Sequence, residues 1–264
     1  MKWMRWTLSV MVCIVALAAI PYADVWDSAS DSDDNAGTDN ELIHGTSQIH
    51  DLGTRPGPVA DEDWYRVGQK RQTSMEVLVD STTGDVGFNT SLLQLVSSTG
   101  VLIQNGVSTT PGLDYSHSLR FVNTSAATVS DEYVRVGPAN CTTSCTSSDQ
   151  YHIRARETTI SVARFNNAGS QVTVLLSQNP TELTINATYF YWSTGGALLQ
   201  TGTAAIGAKQ LNVFNTTGFA ALQGVGGSIT IAHNGPYGSL NVKSVALEPS
   251  TGFSFDTPGV YKAN

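Results

Sequence analysis

The chain holds 264 residues, 41% of them hydrophobic and 14% charged, with 24 glycines and a net charge of −8 at pH 7. That is enough for one large or two ordinary domains. An acidic chain without a basic patch cannot displace counterions from phosphates, which argues against nucleic acid as a partner.

The N-terminus reads as a charged start (Lys2, Arg5), an apolar run from Leu8 to Ile20 and a small residue at Ala23. This is the pattern of a cleaved secretory signal peptide over 1–23, and it predicts a secreted or periplasmic protein. The apolar run falls short of the roughly 18 to 20 residues that a bilayer needs, so no membrane span is expected in the mature chain. Cys13 sits inside that run behind the bulky Val12, a poor setting for lipid attachment. Without these residues 12 basic side chains face 22 acidic ones. Residues 24–39 follow with Asp24, Asp27, Asp31, Asp33, Asp34 and Asp39 among Ser, Gly and Asn. Such a stretch buries no core and predicts a disordered acidic leader.

From residue 40 onward apolar residues alternate with period two, and none keeps helical spacing over three turns. Met75, Val77 and Val79 share one strand face, and Thr82-Thr83-Gly84-Asp85 turns the chain. Leu93 and Leu95 come next, then Leu119–Val122, Glu132–Val136 and Tyr151–Arg154. Further strands are expected at Val172–Leu176, Ile185–Trp192, Ser228–Ile231 and Leu240–Leu247, with glycine turns at Gly195-Gly196 and Gly226-Gly227. Many short strands punctuated in this way predict an all-β fold of two tandem β-sandwiches, jelly-roll or Ig-like. The domains are placed at 40–156 and 157–264, joined by a short ordered connection around Arg156–Thr159.

With the signal removed, the remaining cysteines are Cys141 and Cys145, which should pair in an oxidising compartment. The rival, a zinc site with His152, lacks a second pair of ligands.

Asn40-Glu41, the strand Gly45–Leu52, Ala60-Asp-Glu-Asp-Trp-Tyr-Arg-Val, Val77-Leu-Val-Asp, Gly84-Asp85 and Tyr133-Val-Arg-Val ahead of Tyr151-His-Ile-Arg occur in one order. Over residues 40–156 this series resembles the bacterial pre-peptidase C-terminal domain, a β-sandwich appended to secreted peptidases and found in other exported proteins. Some of its members bind calcium where the domain begins, and that resemblance implies Asn40, Glu41, Asp61 and Asp63 as calcium ligands here; the plain alternative is a solvated acidic turn. The second half resembles the tail of uncharacterised exported bacterial proteins, which implies no activity. No peptidase precedes the sandwich, so the pair is expected to stand alone.

No G-x-S-x-G elbow, H-E-x-x-H helix or Walker loop occurs. The histidines are scattered; His44 and His50, six apart, would share one strand face. In Asn186-Ala-Thr-Tyr-Phe-Tyr-Trp, Tyr189 and Tyr191 point one way and Phe190 and Trp192 the other. The tyrosines are the better surface pair, since a hydroxyl tolerates water, and are the candidate platform for sugar rings or polymer side chains. Five sequons, at Asn89, Asn123, Asn140, Asn186 and Asn215, read as chance matches in a bacterial chain. Together these features predict an exported, non-catalytic binding or adhesion protein directed at extracellular polymer, protein or glycan. The alternatives are a structural or assembly component of the cell surface or matrix, because sandwich edges associate, and a hydrolase whose site is assembled only in space.

Overall fold

A computed structural model describes residues 33, 35–51, 62–81, 93–109, 116–126, 130–137 and 150–263. The expected signal peptide, the Cys141–Cys145 pair and Asp61 lie outside the described residues.

The first half forms β1 (Ser47–Asp51), β2 (Asp63–Gln69), β3 (Thr73–Ser81), β4 (Leu93–Val96), β5 (Leu102–Asn105), β6 (Val107–Ser108), β7 (Ser116–Asn123), β8 (Ser130–Val136) and β9 (Gln150–Glu157). They make an antiparallel sheet in the order β1-β9-β3-β7-β6 and a second in the order β2-β8-β4-β5. Period-two alternation turns one face of each strand inward. Val77 and Val79 of β3, Tyr151 and Ile153 of β9, Tyr65 and Val67 of β2 and Val134 and Val136 of β8 are each 0% exposed and meet in one core.

The second half forms β10 (Ile160–Asn166), β11 (Val172–Gln178), β12 (Ile185–Ser193), β13 (Leu198–Ile206), β14 (Leu211–Asn215), β15 (Gly226–His233), β16 (Asn241–Glu248) and β17 (Phe253–Tyr261). These share one eight-stranded sheet, β13-β12-β15-β10-β17-β16-β11-β14. The sheet folds over at β17, whose end Gly259–Tyr261 pairs with β10 while Phe253–Pro258 pairs with β16. The turn Gly207–Gln210 then joins the two outermost strands, β13 and β14, so the sheet nearly closes into a barrel. Ile160, Val162, Tyr191, Ile229 and Ile231 lie at its centre. Two short 3-10 turns, Thr216–Gly218 and Ala220–Leu222, complete the unit, and there is no α-helix among the described residues.

Gly226-Gly227 is not the turn expected from its composition. Both glycines open β15 beside a bulge in β10, and a Cβ on Gly227 would lie 1.7 Å from the carbonyl oxygen of Trp192. The requirement is close backbone approach rather than a reversal of the chain.

The junction between the halves is tight. Only Thr158 and Thr159 separate β9 from β10, at 0% and 6% exposure. Thr158 donates its N–H to the Ser74 carbonyl at 2.8 Å and its hydroxyl to Ser74 Oγ at 2.8 Å, and Ser74 N–H donates to Thr159 Oγ1 at 3.0 Å. From the second half, His233 N–H reaches Ser74 Oγ at 3.1 Å and Tyr237 N–H reaches Glu76 Oε2 at 2.9 Å. Glu76, 2% exposed, also accepts from the Ser118 hydroxyl at 2.8 Å.

His233 is built to be neutral. Its Nδ1 accepts from Gly235 N–H at 3.1 Å, which puts the proton on Nε2, 3.2 Å from the Tyr261 hydroxyl oxygen. Tyr261 in turn donates to the Leu240 carbonyl. Burial first, and the positive Arg120 nearby second, push the imidazole down to about 4, against backbone hydrogen bonding to Thr158 and Gly235 that raises it. The unfolded pKa is 6.5. Because the folded value is the lower one, this contribution is complete above pH 6.5 and is lost as pH falls toward 4, in total about 3 kcal/mol. Denaturant midpoints measured between pH 7 and 4 should therefore fall less steeply in His233→Gln than in the parent. Equal slopes would remove His233 from the acid sensitivity of the fold.

Candidate functional site

Residues 33 and 35–42, placed by the sequence at the end of the leader and the start of the first domain, lie along β2. Trp64 N–H donates to the Asp33 carbonyl at 2.6 Å, Arg66 N–H to the Asn40 carbonyl at 2.8 Å, and Leu42 N–H to the Arg66 carbonyl at 2.9 Å. Asp33 and residues 35–39 are thus tied to the sandwich where disorder was expected, because the edge of β2 offers their backbone partners.

This docking brings Asp33 against Asp63 of β2 and His50 of β1. One ligand atom from each lies within 4.8 Å of the others, and the residues are 1%, 0% and 1% exposed respectively. The surrounding polar groups are ordered. Tyr151 donates its hydroxyl to Asp63 Oδ2, and the Tyr65 and Tyr151 hydroxyls are 2.6 Å apart. Burial, and after it the Asp63 carboxylate, hold the Tyr151 phenol well above its usual range, so it stays a donor. The His50 ring stacks on Tyr151 at 5.9 Å and meets Tyr65 edge-on at 5.0 Å. Its Nε2 lies 3.0 Å from Gln48 Oε1; donation to that carbonyl leaves the lone pair on Nδ1.

Of the four calcium ligands implied by the resemblance, Asp63 lies in this cluster. Asn40 is on the same docked segment at 0% exposure, and its carboxamide has no hydrogen-bond partner among the described residues. Glu41 is turned away: its carboxylate is partly exposed and sits 3.8 Å from Arg66. The members that sequence reasoning missed are Asp33, hidden in a run of similar residues, and His50. Alternation in β1 gave the signal for His50, since Ile49 is 54% exposed and His50 points inward. His44 does not share its face. It lies before β1, where Nδ1 accepts from Glu157 N–H at 2.7 Å and Nε2 donates to the Ala263 carbonyl at 2.9 Å.

Two buried carboxylates this close cost several kcal/mol each unless a positive charge offsets them. A divalent cation would do so, with oxygen from Asp33 and Asp63 and nitrogen from His50. Calcium prefers six to eight oxygen ligands, whereas mixed imidazole and carboxylate donors suit zinc or manganese. The donor set therefore fits a divalent cation, though less an all-oxygen calcium cage.

The tyrosine platform is corrected by burial. Tyr189 and Tyr191 are 4% and 1% exposed and face the second core, not solvent. Tyr189 donates to Ser177 Oγ at 3.2 Å, and Tyr191 packs edge-on against Phe165 at 5.8 Å. They line a narrow slot with Phe214 and Phe219 where β13 and β14 part. The sheet's inward curl, which alternation alone cannot show, decides which face is covered. It is Trp192, on the other face, that remains half-exposed.

No protein-family model matches the chain, and no curated protein does. Among solved structures, a beta-glucuronidase of Bacteroides uniformis is 13% identical over 84% of this chain and 32% of its own, with a TM-score of 0.23. A beta-glucuronidase from glycoside hydrolase family 2 is 13% identical over 86% and 26%, with a TM-score of 0.22. An infectious bursal disease virus structure is 12% identical over 83% and 71%, with a TM-score of 0.18. The chain thus spans about a third or less of the glucuronidases. At such TM-scores the likeness carries neither a fold assignment nor a function.

The Asp33–His50–Asp63 cluster is tested by titrating zinc, manganese or calcium into chelator-treated protein. A cation at about 100 times its Kd adds roughly 2.7 kcal/mol to stability, so the melting temperature should rise, more for zinc or manganese than for calcium. In Asp33→Asn most of that rise should vanish while the chelated protein stays folded. Identical melting with every cation and with chelator would leave the cluster a purely hydrogen-bonded one.

Proposed function

We propose that the protein is an exported, non-catalytic binding protein that holds extracellular polymer, protein or glycan, on a rigid pair of β-sandwiches. The observation that carries this reading is the junction at Ser74, Glu76, Thr158 and His233, whose buried hydrogen bonds leave no slack between the halves. A surface fixed in this way loses little freedom on engaging a partner, and that favours binding over conformational gating. The imidazoles support it too. A hydrolase needs a base beside a nucleophile, yet both ring nitrogens of His44 and of His233 are engaged in contacts that hold the fold. In this reading the cation at Asp33, His50 and Asp63 is structural and clamps the opening segment onto β2.

A second reading, an assembly component, is favoured by apolar side chains at open sheet edges. Val101, Leu102 and Ile103 at β5 are 64%, 46% and 59% exposed, and Phe253 and Phe255 on β17 are 70% and 63% exposed. The two readings part in one experiment. The protein is mixed with insoluble collagen, cellulose, chitin and peptidoglycan, and its depletion from solution is measured beside sedimentation of the protein alone. Retention by at least one polymer with a monomer in solution is expected. Large oligomers without retention would favour assembly instead.

A further inference from the structure

A cleft of about 430 Å³ lies between the two sandwiches. On one side the turn from β2 to β3 carries Lys70 and Arg71. On the other are Trp192 of β12, Ser161 of β10 and Thr230 of β15, and Glu157 at the end of β9 also lines the cleft.

The chain carries a net −8, yet charge here has the opposite sign. Lys70 and Arg71 are exposed and make no ion pair among the described residues. The nearby Glu157 carboxylate is offset by Lys262 at 3.3 Å. Both cations stand on a pinned turn: the Lys70 carbonyl accepts from the Thr73 hydroxyl at 2.7 Å and from Asn123 Nδ2 at 3.2 Å, and Arg71 Nη1 leans on the Ala126 carbonyl at 3.5 Å. Gln72 holds a left-handed φ of 54°, a strained conformation for a residue with a side chain. Opposite, the Trp192 indole is fixed by its Nε1–H bond to Thr230 Oγ1 at 3.0 Å.

We propose that this cleft binds an acidic saccharide, a uronate-bearing segment of glycan. The indole face takes the C–H side of a sugar ring, hydroxyls of Ser161 and Thr230 meet ring hydroxyls, and Lys70 and Arg71 take the carboxylate by charge-assisted bonds. The cleft falls within the ~300 to 1,000 Å³ of small-ligand sites and lies at a domain boundary, where such sites concentrate. The site deepens the polymer-binding reading and rests on it. It narrows the polymer to acidic glycan.

The test uses the full chain and calorimetric titration with a short oligogalacturonate, its methyl ester, a neutral malto-oligosaccharide and an oligoglutamate peptide. The oligogalacturonate is expected to bind; the methyl ester and the malto-oligosaccharide, which lack the charge, and the oligoglutamate, which lacks the ring that stacks on Trp192, are each expected to bind at least about tenfold more weakly. Lys70→Gln with Arg71→Gln should weaken it by a similar factor, and so should Trp192→Ala. The double variant changes exposed side chains only, so it decides the matter even where Trp192→Ala melts lower. Unchanged affinity in the double variant, full affinity in a folded Trp192→Ala, or tighter binding of oligoglutamate would overturn the proposal. If the oligogalacturonate does not bind while an insoluble polymer still retains the protein, this site is wrong and the polymer reading stands; failure of both sinks both.

Discussion

The molecule turns on the hydroxyl and backbone of Ser74. At 0% exposure this one residue meets Thr158, Thr159 and His233 through four hydrogen bonds of 2.8 to 3.1 Å. Each is modest in isolation, about 1 kcal/mol net, but a buried group left without its partner costs more than the bond contributes. The chain cannot pivot between β9 and β10 without opening all of them together. Serine and threonine are suited to the place because their hydroxyls satisfy backbone groups at the point where two sheets end and neither ladder continues. The position of Trp192 relative to Lys70 and Arg71 follows from that junction.

Buried charge is handled in two ways. At the junction, Glu76 accepts from the Ser118 hydroxyl and from a backbone N–H of the second half, with Arg120 and Arg156 directly opposite it on β7 and β9, so one carboxylate links the sandwiches with donors and cations that the chain itself supplies. At the opening of the first sandwich, Asp33 and Asp63 converge on His50, and the Tyr151 hydroxyl donates to Asp63. A single carboxylate between two donors and flanking cations is offset in place, whereas two carboxylates sharing a volume repel each other.

Alternation carried the all-β architecture because a half-buried strand must alternate, as Met75, Val77 and Val79 show. It says which residues share a face, but not which face the fold covers, and Tyr189 and Tyr191, a surface pair by alternation and hydroxyl chemistry, are buried by the curl of the sheet. The cluster was legible in part. Asp63 stands out beside Trp64 and Tyr65 and alternation in β1 turns His50 inward, but Asp33 joins them only because residues 33 and 35–42 add to the edge of β2, a long-range pairing without local pattern. The junction was least visible. Ser74, Thr158 and His233 are ordinary polar residues in sequence, and only the crossing of two sheets gives them common work.

Apolar exposure in the second sandwich follows where sheet pairing stops. β17 pairs on one side at a time, Gly259–Tyr261 with β10 and Phe253–Pro258 with β16, and the second of these halves carries exposed Phe253 and Phe255. Such a one-sided strand is a template for further strands, which proteins restrain with charge. Here Lys243 and Asp256 form an ion pair at 2.7 Å beside that edge. The interdomain cleft takes Ser161 from β10, opposite Val260, with Trp192, Thr230 and the turn after β2, and none of these residues pairs with Phe253–Pro258. A saccharide in the proposed cleft and a strand added along Phe253–Pro258 would therefore meet separate residues, and a change that abolishes one would leave the other in place.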